Sequence, residues 1–244
     1  MKFKRYLILI IILVVLIGAT IWMTALKEVG IFKLAPATKV LSTLLRHLQI
    51  VAVAELIAIG IGVPIGFIST RRSLRYISPV FIGIANIGQT IPTLAFIGIA
   101  GALLGMGYKA AVVALFIYAM LPIIRNTYAG INSIDPAIRE AAAGMGMSKG
   151  QITFRIELPL PQPVIIAGIR TSTVLNVGTA AVAGMIGAGG LGELIVTGIA
   201  VRVTALVIQG AAPTAALAII LDALLREAEN ALTPRGLKVS KSRR

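Results

Sequence analysis

Cysteine is missing from all 244 residues, which excludes a disulfide framework, a thiolate metal site and a cysteine nucleophile, and leaves the redox compartment open. Histidine occurs once, at His47, and neither G-x-S-x-G nor H-E-x-x-H is present. An intramembrane protease or hydrolase would need a nucleophile and base, and neither motif that pairs them is here. No G-x-x-x-x-G-K-[ST] occurs, so the chain cannot hold ATP by a P-loop. Charged residues make up only 13%, against about 25% for a soluble domain. Aromatic residues, at 5%, form no cluster, although recognition of quaternary ammonium groups normally uses aromatic faces.

What is present is apolar: 57% of residues are hydrophobic and 25 are glycine, so the expected solvent is lipid. A bilayer core of about 30 Å needs roughly 20 apolar residues in a helix. Residues 6–26 carry no charge, 48–70 carry only Glu55, and 76–108 form a longer uncharged run interrupted by Pro92, Gly98, Gly101 and Gly105. Dividing that run near Gly101 predicts a third span before it and a fourth over about 105–124. A fifth follows over 163–184 and a sixth over 203–225. The expectation is an all-α polytopic bundle of about six transmembrane spans.

Lysine and arginine outnumber aspartate and glutamate 23 to 9. Few of the basic residues interrupt the apolar runs, which speaks for a basic membrane protein and against nucleic acid as partner. With both termini inside, Lys2, Lys4, Arg5, Arg71, Arg72, Arg75, Arg125, Arg139, Lys149, Arg155, Arg226, Arg235, Lys238, Lys241, Arg243 and Arg244 collect in the cytoplasm. Lys27, Lys33, Lys39, Arg46, Lys109 and Arg202 fall outside, and Arg170 lies in the first turns of span five. That asymmetry predicts a multi-pass protein of the cytoplasmic membrane with both ends cytoplasmic. Residues 2–26 also fit a signal peptide, but their apolar run is long for a signal core and no small-x-small pair follows closely. An uncleaved anchor is the expectation.

One long polar stretch, 125–161, falls on the inner side. Asp135 can cap a helix with Pro136 at its first position, Gly144 and Gly146 can end it, and Ser148 with Gln151 forms a capping-box pair for a second helix that stops at Leu158-Pro159. The two helices are expected to lie on the membrane surface. Within them Glu140-Ala141-Ala142, Gly146 and Ile156-x-Leu158-Pro159 stand at the spacing E-A-A-x3-G-x9-I-x-L-P, which resembles the EAA loop of ABC importer permeases. The resemblance implies the type I importer permease architecture and a loop that docks in a cleft of the ATPase subunit. The implied docking residues are Glu140, Ala141, Ala142, Gly146, Ile156, Leu158 and Pro159.

Over roughly residues 45–237 the likeness extends to Gln89-Thr90-Ile91-Pro92-Thr93-Leu94-Ala95, Ile124-Arg125-Asn126-Thr127-Tyr128, Asp135-Pro136-Ala137, Gly144-Met145-Gly146-Met147 and Gly187-Ala188-Gly189-Gly190-Leu191-Gly192. These segments resemble the osmoprotectant branch, which imports glycine betaine, choline or carnitine. D-methionine or another small solute is the alternative substrate. A secondary transporter is the alternative class, but it would need internal repeats. The implied partners are a second permease copy or homologue, two ATP-binding cassette ATPase subunits and an extracytoplasmic substrate-binding protein. No cofactor is expected in this chain, since ATP and Mg belong to the partner ATPase, and no covalent chemistry is expected of it. The chain divides into an anchor span with an external segment (1–44), the permease domain (45–237) and a basic cytoplasmic tail (238–244).

Other features have plainer readings. Gly187-x-Gly189-x-x-Gly192 matches a dinucleotide fingerprint in letters, yet no strand is expected before it, so a tight turn or re-entrant segment is the better reading. Glu55, Arg170 and Asp222 are costly in lipid and should face protein or a watery cavity. Asp222 and Arg226 are spaced to pair, and Glu55 either attracts a cation or makes a helix contact. Gly62-x-x-x-Gly66 and Gly101-x-x-x-Gly105 permit close helix approach. Pro64 and Pro92 should kink their helices. Gln89, Thr90 and Thr93 beside Pro92 place a candidate pathway lining or gate at 89–95, with Glu55 as a further pathway candidate. His47 reads as an interfacial side chain.

Overall fold

The computed structural model describes residues 34–71, 78–88 and 90–232; the predicted first span and Gln89 lie outside them. Among the described residues every regular element is helical. In chain order they are α1 (Ala37–Ile68), α2 (Ser78–Gly88), α3 (Thr93–Leu104), α4 (Tyr108–Asn132), α5 (Pro136–Gly144), α6 (Lys149–Ile152), α7 (Gln162–Val182), α8 (Leu191–Ala200) and α9 (Thr204–Leu232). A π-helical turn, Thr153–Glu157, continues α6, and a 3-10 turn, Ala183–Ile186, continues α7. Among the described residues four helices are long and apolar enough to cross a membrane: α1, α4, α7 with its 3-10 extension, and α9.

Two details differ from the hydropathy reading. The third span predicted before Gly101 is not one kinked helix but two, α2 and α3, with Pro92 as the N-cap of α3 at φ −56° and ψ 129°. Proline has no N–H for the helical ladder and disfavours helical backbone in the residue before it. At 11 and 12 residues, each piece is shorter than the roughly 20 residues a span needs. The second division falls at Gly105 and Gly107, with φ of +80° and +119°, rather than near Gly101. The spanning helices also overrun their apolar stretches. At 32 residues α1 is about 48 Å long, beginning at Ala37, and α4 and α9 continue to Asn132 and Leu232.

The fold has two compact units, and α1, α4, α7 and α9 each contribute to both. The first takes its described residues from Met1–Leu56, Pro92–Tyr118 and Thr173–Leu221. Its core joins Ile50, Val51 and Ala54 of α1, Ile97 and Ala100 of α3, Ala111 and Leu115 of α4, and Val177 and Ala180 of α7. Lipid tails are as apolar as these side chains, so cohesion comes from close packing and interhelical hydrogen bonds rather than from exclusion of water. The abundance of alanine serves that packing. Polar side chains supply the bonds: Gln209 of α9 clasps both the N–H and the carbonyl of Ala35, at 2.9 and 3.3 Å. His47 is buried, not interfacial, and its Nε2 donates to the Val177 carbonyl at 3.0 Å. The 187–190 glycines turn in the left-handed region at 187, 189 and 190 and lead from a 3-10 turn into α8, without a strand. A Cβ on Gly192 would strike the backbone of Ala181.

The second unit takes its described residues from Ile57–Ile91, Ala119–Ser172 and Asp222–Arg244. Here Gly62 and Gly66 do set α1 directly on α4: a Cβ on Gly66 would lie 2.7 Å from that of Thr127 and 2.8 Å from the Ile124 carbonyl oxygen. Gly168 does the same for α7, where a Cβ would come within 2.5 Å of the Asn126 Cβ. The other glycine pair does not behave this way. Gly101 meets only Ile186 at 3.8 Å, and Gly105 has open space and serves a turn. Asp222 pairs with Arg226 as the spacing requires, at 2.7 Å, and both Asp222 and Glu229 also reach Arg170, at 3.2 and 2.9 Å.

Candidate functional site: the 135–161 loop

The loop lies wholly within the second unit and is built by local rules. Asp135 Oδ1 accepts from the Ala137 N–H at 2.9 Å and Pro136 opens α5, so orphan N–H groups are satisfied or absent. At the other end the Met147 N–H returns to the Ala142 carbonyl and that of Gly146 to Ala143, the Schellman pattern, which calls for a left-handed residue after the cap. Gly146 supplies it at φ +81°. Ser148 and Gln151 then form a reciprocal capping box at 2.8 and 3.3 Å.

The second helix departs from the sequence reading after Ile152, where the ladder widens to the π turn and the Leu158 N–H bonds to the Thr153 carbonyl. Leu160 bonds back to Ile156, and Pro161 precedes α7. Of the motif residues, Glu140, Ala141 and Gly146 are exposed, Ile156, Leu158 and Pro159 are half-buried, and Ala142 is 1% exposed against the unit. Of the two alanines, Ala141 thus faces out and Ala142 faces the unit. Beside the outward residues stand three large apolar side chains, Ile138, Met145 and Phe154, with 43%, 75% and 73% exposure.

Below this surface sits a charge cluster absent from the sequence reading. Glu157, whose side chain is 8% exposed, pairs with Arg71 at 2.8 Å and with Arg139 at 3.1 Å, and it accepts from Thr153 Oγ1 at 3.2 Å. Arg139 also donates to the carbonyls of Ile131 and Ile134. Beside the cluster, Thr70, Arg71, Asn132, Pro136, Arg139, Glu140 and Glu157 line a hollow of about 500 Å³. The available signal was weak, since Glu157 is one of three acids, with Asp135 and Glu140, among three bases in residues 135–161.

The pathway candidates are distributed differently. Thr90 belongs to the second unit, is exposed, and donates to the Ile87 carbonyl at 2.7 Å. Pro92 and Thr93 open α3 in the first unit, exposed and half-buried respectively. Glu55, also in the first unit, is buried and accepts from Asn176 Nδ2 of α7 at 3.0 Å; the helix-contact reading is the one this geometry supports. Among the described residues no cluster of three or more metal-ligating side chains occurs.

Residues 62–232, which include the whole loop and α4 to α9, match the family described as binding-protein-dependent transport system inner membrane component. The chain belongs to this family. It is a permease subunit of an ATP-driven importer. The permease is 42% identical over 193 residues to the choline transport system permease protein OpuBB of Bacillus subtilis, covering 79% of this chain and 88% of the relative. It is 39% identical over 213 residues to the glycine betaine/carnitine/choline transport system permease protein OpuCD of the same organism, covering 87% and 92%. In structure it is similar to a chain of the inward-facing MetNI methionine ABC transporter, at TM-score 0.72 and 22% identity over 80% of this permease and 97% of that chain. That likeness speaks for the fold alone.

Proposed function

We propose that the permease forms the membrane path of an importer for quaternary-ammonium osmoprotectants, such as glycine betaine, choline and carnitine. It pairs with a second permease copy or homologue, two cytoplasmic ATPase subunits and an extracytoplasmic binding protein. The observation that carries the mechanism is the loop: two capped helices form a rigid knob with Ile138, Met145 and Phe154 exposed. Exposed apolar surface rimmed by polar residues suits a protein partner, and the EAA spacing makes that partner the ATPase. Glu140, Ala141 and Gly146 form its outer face, while Ala142, Ile156, Leu158 and Pro159 seat it. ATP binding closes the ATPase pair, and the loops convert that closure into alternating access. Both termini and this loop are cytoplasmic.

The substrate class rests on the relatives, whose names specify choline, or glycine betaine, carnitine and choline. Selectivity resides in the binding protein, which the low aromatic content of the permease, 5%, supports. Thr90, Pro92 and Thr93 line the path, with Gln89, which lies outside the described residues, and Glu55 as further pathway candidates. The test is uptake into proteoliposomes containing the permease with its ATPase and binding protein. Labelled choline, carnitine or glycine betaine should accumulate only with internal ATP. Accumulation of methionine in their place would overturn the substrate class, and uptake without ATP would overturn the mechanism.

A further inference from the structure

Glu157 joins three parts of the second unit through one carboxylate. Arg71 follows the end of α1 and is steadied by stacking on Phe67, with its guanidinium 4.1 Å from the ring centre; it reaches Glu157 Oε2 at 2.8 Å. Arg139 projects from α5 to Glu157 Oε1 at 3.1 Å, and its Nη2 holds the Ile131 carbonyl at the end of α4 at 2.7 Å. Thr153 bonds both Arg71, at 3.3 Å, and Glu157, at 3.2 Å. The π turn makes this possible. One extra residue per turn rotates the following side chains by about 100° around the axis, and Glu157 is buried while Phe154 and Arg155 remain exposed.

We propose that Glu157 is a positioning residue for transport: with Arg71 and Arg139 it forms a strut that carries movement of the docked loop to the inner ends of α1 and α4. The inference rests on the reading of the loop as the ATPase-docking element. A carboxylate with little water access that binds a guanidinium at each oxygen is a stiff joint, because separating either partner costs Glu157 a charge-assisted hydrogen bond that water cannot readily replace there. A pull on α5 or α6 therefore moves the end of α1 instead of deforming the loop. Ile138, Met145 and Phe154 point outward and remain available to the ATPase whether or not the strut is intact.

The experiment uses the complete importer in proteoliposomes and measures substrate transported per ATP hydrolysed, alongside the amount of ATPase that copurifies with the permease. Glu157→Gln keeps the shape and removes the charge. The expected result is retained ATPase with the transport-to-hydrolysis ratio down by about tenfold, the same fall in Arg71→Gln, and a double variant no worse than either single one, as for residues acting as a unit. A merely structural staple would lower assembly and leave the ratio alone. Ratios within about twofold of wild type, or additive losses in the double variant, would overturn the strut. Should Glu157→Gln fail to fold, Arg71→Gln, whose side chain is 36% exposed, decides alone. Gly146→Val separates the two readings. If it releases the ATPase while Glu157→Gln and Arg71→Gln stay coupled, only the strut falls; if it leaves docking and coupling normal, the docking element falls and the strut with it.

Discussion

Gly146 shows how one residue type can be required by backbone alone. A Cβ there would meet nothing within 4 Å, so crowding is no obstacle; the obstacle is φ +81°, which opposes a β-branched residue by about 1–2 kcal/mol. Gly146→Val should unseat the turn between α5 and α6 and lower uptake while membrane expression persists. Gly146→Asn, whose side chain tolerates left-handed backbone, should transport much more nearly as wild type. Equal uptake by the two variants would mean that this turn does not govern docking. The sequence made Gly146 legible because its spacing from Glu140 and Ile156 is local. Glu157 was not legible as a hub, since its partners stand 18 and 86 positions away in the chain.

Between elements, glycines act by close approach, and a matched pair on α7 makes the point measurable. Gly168 presses on Asn126 of α4, whereas Gly178 has open space around its Cβ position. Gly168→Ala should lower thermal stability in detergent by about 1–3 kcal/mol through overpacking. Gly178→Ala should be neutral or stabilising by up to about 1 kcal/mol through helix propensity. A melting series that ranks them the other way would remove Gly168 from the α4–α7 contact. The break between α2 and α3 offers a second test at this scale. In a chain without cysteine, Thr93→Cys should change its reactivity toward a soluble thiol reagent between ATP-free and ATP-bound importer. Unchanged protection in both states would assign the segment to plain packing. Hydropathy could not see this break, because an apolar run reports lipid compatibility and says nothing of where a proline ends one helix and caps the next.

At the scale of the molecule, a tag at Ser148 should be accessible only from the cytoplasm, and labelling from outside would invert the proposed topology. What the sequence by itself determined is whatever depends on neighbours in the chain or on solvent. Apolar runs of span length require lipid, and Asp135, Ser148, Gln151 and Gly146 set the limits of the loop helices through bonds to residues a few positions away. The EAA spacing, itself local, brought the family within reach. What only the tertiary structure decided is whatever depends on distant partners. Gly62 and Gly66 are close helix contacts, while Gly101 is only in ordinary contact with Ile186 and Gly105 has open space, although the two motifs read alike. His47 is buried against Val177, Glu55 meets Asn176, and Gln209 clasps Ala35 across 174 positions. In a bilayer the difference is physical: lipid favours every apolar helix alike, so the choice of neighbour is made by small-residue fit and by the few buried polar groups that must find one another.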